Sequence, residues 1–276
     1  MPRYDLHCHS THSDGLLTPA AVVARAAERG VDVLALTDHD ELSGLAEARD
    51  AARNAGVTLI CGSELSVTWD GITVHIVALG IDPANATLSE ALSGIRSGRS
   101  TRARRIGDAL ADAGIQGAYE GAMRYVTSER LVSRTHFARY LVEAGHAREM
   151  KDVFARYLTP GKPGHVAHHW ATLSQAVGWI HAAGGQAVIA HPGRYPVGAR
   201  ELRRLLTEFR DTGGDAIEVV SPSHTRAQYG EFATHARILG LRASCGSDWH
   251  GPGESAMELG ALPDLPAGVV PVWQDW

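Results

Sequence analysis

Two hydrophobic periods alternate along the chain. Short apolar runs at 31–37 (VDVLALT), 57–61 (VTLIC), 72–80 (ITVHIVALG), 186–190 (QAVIA), 215–220 (DAIEVV) and 241–245 (LRASC) read as strands, and 3–7 (RYDLH) as a shorter one. Helical patterns separate them. In the first, Thr18 is the N-cap, Pro19 follows at N1, Ala21, Val22 and Ala26 form the apolar stripe, and Gly30 is the stop. Further helices are expected at 41–55, 172–183, 199–212 and 225–239. Strands spaced by helices predict βαβ units and an α/β fold with a parallel sheet, closed or nearly closed.

The middle breaks this rhythm. From 96 to 167 the pattern is helical with few credible strands, and the segment holds 13 Lys/Arg against 7 Asp/Glu, while the rest holds 13 against 24. We therefore expect residues 1–95 and 168–276 to form one barrel, with 96–167 a helical insertion whose basic groups serve an anionic ligand. For Arg96, Arg99, Arg102, Arg104 and Arg105 the competing reading is a solvated helical face.

Composition narrows the class. With 276 residues, 44% hydrophobic and 21% charged, the chain can bury a substantial core, which excludes a disordered, collagenous or coiled-coil protein. Three cysteines (Cys8, Cys61, Cys245) suit a reducing compartment. The start MPRYDLHCHS has no apolar signal region and no run approaches membrane-spanning length, so a cytoplasmic location is expected. Fifteen histidines stand out.

Their placement carries the chemistry. In an extended segment His7 and His9 project to one side and Cys8 to the other. Thr37-Asp38-His39-Asp40, Gly62-Ser63-Glu64, His191-Pro192-Gly193 and Ser247-Asp248-Trp249-His250 each come at or just past an expected strand end, and His75 lies within a strand. In a parallel barrel those ends converge on one face. The candidate metal ligands are His7, His9, Asp14, His39, Glu64, His75, His191, Asp248 and His250. Imidazoles and carboxylates without thiolates suit Mn²⁺ first, with Zn²⁺, Fe²⁺ or Mg²⁺ as alternatives. Nine ligands exceed the needs of one ion, so two to three divalent ions are expected, with Glu64 as a bridge. Such a site generates hydroxide at neutral pH and clamps both oxygens of a phosphoryl transfer.

The motifs DLHCHSTHSDG, LALTDHD, GSELSV, TVHIVALG, VIAHPGR and GSDWHG resemble, in order, those of the PHP (polymerase and histidinol phosphatase) superfamily, over roughly residues 3–95 and 168–252. The resemblance implies a distorted (β/α)₇ barrel. It suggests one ion on His7, His9, Glu64 and Asp248, a second on Glu64, His75 and His191, and a third on Asp14, His39 and His250. Asp14 stands where many members carry histidine.

Cations must meet a phosphate. Arg194, three residues past His191, is placed for a bidentate clamp, and His224 follows another strand. Ser133-Arg134-Thr135-His136 opens a helical run and could offer Arg134, His136 and backbone N–H groups to an anion. Lys162, one of two lysines in the chain, sits in the loop Thr159-Pro160-Gly161-Lys162-Pro163-Gly164.

SRTHFARYLVEAG and YLTPGKPGHV are similar to segments of the nucleoside 3′,5′-bisphosphate phosphatases, a subgroup some of whose members trim short RNA from the 5′ end. That similarity implies a metal-dependent phosphatase removing the 3′-phosphate of a nucleoside 3′,5′-bisphosphate by attack of a metal-held hydroxide. Asp248, His191 and Arg194 would carry catalysis, and Arg134, His136, Lys162, Arg194 and His224 would contact substrate. The alternative is 5′→3′ exoribonuclease action on short 5′-phosphorylated RNA at the same site. C–N hydrolysis is disfavoured because neither lysine lies at a strand end, and a non-enzymatic module because all nine ligand positions are competent. Net negative charge disfavours long duplex nucleic acid.

Overall fold

The computed structural model describes residues 2–127 and 131–276. Seven strands, β1 (Tyr4–Asp5), β2 (Val33–Leu36), β3 (Thr58–Trp69), β4 (Ile72–Leu79), β5 (Gln186–Ile189), β6 (Ala216–Val220) and β7 (Arg242–Cys245), pair in sequence order. Hydrogen bonds from Leu6 N–H to the Cys245 carbonyl (3.1 Å) and from His9 N–H to the Trp249 carbonyl (2.9 Å) bring β7 back to β1, so the sheet is a nearly closed barrel. The α/β class is as expected.

The parallel sheet requires correction. β1–β2–β3 and β5–β6–β7 are parallel, but β4 runs antiparallel to both β3 and β5. Only Asp70 and Gly71 separate β3 from β4, both at positive φ (46° and 79°). A two-residue link of that shape closes a hairpin and is far too short for a parallel crossover. β3 is also longer than the run VTLIC and continues to Trp69, so Glu64 lies inside a strand rather than past its end. Ser63, Glu64 and Ser66 hide the continuation because they are polar although buried, with Glu64 and Ser66 on one face of the strand.

The outer helices are α1 (Pro19–Glu28), α2 (Leu45–Ala55), α7 (Leu173–Ala182), α8 (Ala199–Asp211) and α9 (Arg226–Leu239). Thr18 caps α1 by accepting from Ala21 N–H, and Gly56 ends α2 in the left-handed region that glycine tolerates. α8 shows why these segments are helical. Leu202, Leu205, Leu206 and Phe209 form one buried stripe, and that stripe is its contribution to the core shared with Ile180, Ile217 and Phe232. Inside the barrel, Leu6, Ala35, Val77, Leu79, Val188, Ala190 and Ala216 pack with Val272 of the C-terminal segment.

The middle of the chain carries α3 (Ala86–Asp112), α4 (Ala118–Met123), α5 (Arg134–Glu143), α6 (Met150–Val153) and a π-helical turn at Phe154–Leu158. α3 passes through residue 96 without a break. Its Leu88, Leu92 and Ile95 belong to the main core, and its Ala103, Ile106 and Leu110 to a separate core with Phe137, Leu141, Val153 and Leu158. Among the described residues, no helix is long and apolar enough to cross a membrane.

Phe137 is fully buried at the centre of that second core. Phe137→Ala should cost about 3–5 kcal/mol in urea unfolding; a change under about 1 kcal/mol would contradict the packing described.

Candidate metal centre

One mouth of the barrel collects the polar ends of the strands. The chain beyond β1 stays extended, with Cys8 turned onto the Ala35 carbonyl, so His7 and His9 face inward with their Nε2 atoms 3.2 Å apart. Gly246 makes room for them: a Cβ there would lie 2.2 Å from that of His7. His191 after β5 and Asp248 after β7 adopt positive φ (30° and 47°), a costly conformation that turns their side chains back over the mouth.

Glu64 is the hub. Its Oε2 lies 3.2 Å from His7 Nε2, 3.3 Å from His9 Nε2 and 3.0 Å from His39 Nδ1, while Oε1 lies 2.8 Å from His75 Nδ1 and 3.0 Å from His191 Nε2. Asp248 Oδ1 stands 3.3 Å from His9 Nε2 and 3.6 Å from His7 Nε2. Asp14 Oδ1 stands 3.4 Å from His250 Nε2 and 3.9 Å from His39 Nε2. All nine residues proposed as ligands therefore gather here. Three groupings have donor atoms close enough to share an ion: His7, His9, Glu64 and Asp248; His39, Glu64 and His75; and His9, Asp14, His39 and His250.

The donor atoms suit cations. Asp14 Oδ1, Glu64 Oε2, His39 Nδ1, His75 Nδ1 and His191 Nδ1 are buried without a hydrogen-bond partner, although His39 Nδ1 stands 3.0 Å from Glu64 Oε2 and His75 Nδ1 stands 2.8 Å from Glu64 Oε1. Buried polar atoms are rarely left so, and lone pairs that converge without hydrogen-bond geometry fit ions between them. Outer contacts orient the rings. Glu218 accepts from His7 Nδ1 (2.7 Å) and from the His191 N–H (2.6 Å), and His250 Nδ1 donates to the Asp248 carbonyl (2.8 Å), which leaves His7 and His250 Nε2 facing the cluster. Asp38 clamps the adjoining loop by accepting from Ser10 N–H, Ser10 Oγ and Ser13 Oγ.

Charge divides unevenly within the cluster. Burial would push His9 down, but the adjacent carboxylates of Asp248, Glu64 and Asp14 hold it up at about 10. His7 is raised in the same way against burial by Glu64, Glu218 and Asp248. Burial dominates for His39 and His75, which are lowered. Despite burial, Glu64, Asp14 and Asp248 are held well below the carboxylate range by surrounding imidazoles. The carboxylates around His7 and His9 thus favour positive charge at that end of the cluster.

A cleft opens above the cluster. Its walls include Arg99, Arg102, Arg134, Arg194, Phe154 and Trp170. Arg99 is buried and forks onto Asp40, so it ties α3 to the barrel. Burial and neighbouring guanidinium groups push Arg102 and Arg134 down, and among the described residues each donates only to a carbonyl (Val166 and Leu158). An anion would relieve both. Arg194, half-exposed, reaches Asp248 Oδ2 at 3.3 Å.

The remaining expected substrate contacts stand further back. His136 is buried, and its Nδ1 accepts from Ser133 N–H in a capping box. Ser133 Oγ donates to Asp14 Oδ2 (2.9 Å). His224 uses both nitrogens, Nδ1 towards the Val219 carbonyl and Nε2 as acceptor from Gly193 N–H, so it braces the Pro192–Arg194 turn. Lys162 is exposed on its loop, outside the cleft lining. Sequence reasoning missed Glu218, although a lone acid inside DAIEVV was a visible signal. It also left Arg99 and Arg102 open, although their spacing of three puts both on one helix face.

The sequence profile of the PHP domain family matches residues 5–219. A protein of Chromobacterium violaceum named 3′,5′-nucleoside bisphosphate phosphatase is 52% identical over 275 residues, covering 100% of this chain and 96% of its own. A 5′-3′ exoribonuclease, Rnm, of Salmonella typhimurium is 46% identical, with 99% and 93% covered. A solved structure from Chromobacterium violaceum, described as an amidohydrolase with bound sulfate and no metal, superposes with a TM-score of 0.96 at 52% identity, covering 99% and 95%.

Glu218→Ala should weaken divalent-metal affinity about 10–100-fold, read by equilibrium dialysis, because His7 and His191 lose their brace. Unchanged affinity would remove Glu218 from the centre. Metal must also displace the proton that His9 retains up to about pH 10, so uptake releases protons and apparent affinity rises from pH 6.5 towards that value. Calorimetric titrations in buffers of different ionisation enthalpy will read this; identical heats would refute it.

Proposed function

The chain belongs to the PHP domain family, and from that premise we propose that it is a phosphoric ester hydrolase that removes the 3′-phosphate of nucleoside 3′,5′-bisphosphates. The observation that carries this reading is the cleft itself. It sets a buried imidazole–carboxylate cluster against Arg102 and Arg134, whose charges no carboxylate neutralises in the contacts described. A substrate with two phosphates answers both sites, one phosphate over the cluster and the other against the guanidinium groups.

The ions, Mn²⁺ in our reading, would be held by His7, His9, Glu64 and Asp248, by Glu64, His75 and His191, and by Asp14, His39 and His250. Bound there, they would lower the pKa of water and neutralise charge developing on phosphoryl oxygens. The chain's own groups do the rest. Glu218 holds His7 in the tautomer that turns Nε2 to the site. Arg194, braced from behind by His224 through Gly193, binds the equatorial oxygens of the reacting phosphate. Arg134, at the start of α5 and fixed by the Ser133–His136 capping box, receives the second phosphate. Lys162, exposed on its loop, would add positive charge that draws in the anion. In this division residues 1–95 and 168–276 hold the ions, and 96–167 hold the substrate.

The relative named as an exoribonuclease favours a second use of the same groups, phosphodiester hydrolysis at the 5′ end of short RNA. Three free cysteines accord with our reading of a cytoplasmic protein.

With Mn²⁺, Asp248→Asn should lower phosphate release from adenosine 3′,5′-bisphosphate by about 10²–10³. Arg134→Ala should raise KM about tenfold or more with kcat nearly kept. Wild-type kinetics in both variants would end the assignment.

A further inference from the structure

Beside the catalytic cleft lies a groove of ≈ 330 Å³ between α3, the 168–171 segment and α7. Gly94 and Ile95 form one side, Gln175 and Trp179 the other, and His169 lies at the edge. Trp170 belongs to both the groove and the cleft, so the two are neighbours across one indole. That indole is fixed: its N–H points at Thr73 Oγ1 (3.3 Å), the guanidinium carbons of Arg99 and Arg102 lie 5.2 and 5.5 Å from its ring, and the His168 ring lies at 4.1 Å. A chain leaving the cleft over Trp170 meets cations first and apolar rings next.

We propose that this groove is a track for single-stranded RNA, seating the nucleotide that follows the one held in the cleft. The proposal rests on the exoribonuclease reading above. Three observations support it. First, among the described residues the lining carries no carboxylate, and the guanidinium groups of Arg99 and Arg102 stand beside Trp170 (burial first, then Arg102, Arg99 and Arg105, pushes His168 down), a positive surrounding suited to a phosphodiester. Second, Trp179 and Ile95 offer an apolar surface for a base, with Gln175 and His169 beside it to bond base edges. Third, α3 carries three interior glycines, each costing about 1 kcal/mol relative to alanine; packing explains Gly107, where a Cβ would stand 2.7 Å from that of Tyr119. Packing also explains Gly98, where a Cβ would stand 2.6 Å from His168 Nε2. It does not explain Gly94, where a Cβ would meet nothing within 4 Å. The open space at Gly94 faces the groove, where a ligand's close approach would use it.

The test compares Trp179→Ala and Gly94→Leu with the wild type; the second fills the groove while favouring the helix. Turnover is measured on adenosine 3′,5′-bisphosphate and on a 5′-phosphorylated pentaribonucleotide. Binding of the 3′-fluorescein pentaribonucleotide is read by anisotropy with metals chelated. Both variants should keep kcat/KM for the bisphosphate within about twofold and weaken pentaribonucleotide turnover and binding about tenfold. Pentaribonucleotide binding that neither variant changes, equal losses on both substrates, or a wild type that does not bind the pentaribonucleotide would each overturn the track. A wild type that binds it through the groove yet releases no phosphate from the bisphosphate would instead refute the phosphatase reading and leave the track standing.

Discussion

The burial of Glu64 constrains the rest of the molecule. A carboxylate with no solvent exposure is tolerable only when opposite charge surrounds it. Five imidazoles from four separate segments surround it, each within 3.3 Å of one of its oxygens, and His7 and His9 are the two whose pKa is raised there. Strand ends, the hairpin that carries Glu64 and His75, and the strained turns at His191 and Asp248 all serve this convergence. The same constraint explains why Glu64 is held well below the carboxylate range and why His7 and His9 are raised against burial.

The helical middle is anchored to this centre by buried polar contacts. Arg99 of α3 forks onto Asp40, Ser133 donates to Asp14, and Arg139 of α5 binds both Glu254 and the Asp14 carbonyl. Buried ionic pairs of this kind contribute modest net stability because desolvation offsets attraction, but they define geometry. Here they set the position of Arg134 relative to the cluster. A shift of α5 would move both the anion-binding guanidinium and the hydrogen bond on Asp14.

Much of the site was legible because its residues stand in short polar interruptions of apolar runs. The pair at His7 and His9 followed from strand alternation, and His39, His191 and Asp248 from their places after strands. Glu64 was found for a reason that proved incomplete, since it lies within β3 and not beyond it. The hairpin was visible in Asp70-Gly71, but the spacing of neighbouring βαβ units suggested a uniform sheet. Glu218 was hidden because a buried acid in an apolar strand has no local signature of its partner. His224 illustrates the converse: its position after β6 suggested a cleft contact, whereas both nitrogens are committed within the chain.

By itself the amino-acid order determined the α/β class, most helix and strand positions, the helical middle with its excess of positive charge, and the nitrogen and oxygen donors at the strand ends. These depend on periodicity, capping and residue chemistry, which act over a few neighbours. Only the tertiary structure decided that β4 reverses, that one carboxylate meets five rings, and which arginines line the cleft and which are tied to acids. Those outcomes depend on distances between residues far apart in the chain, and only the closing of the barrel sets such distances.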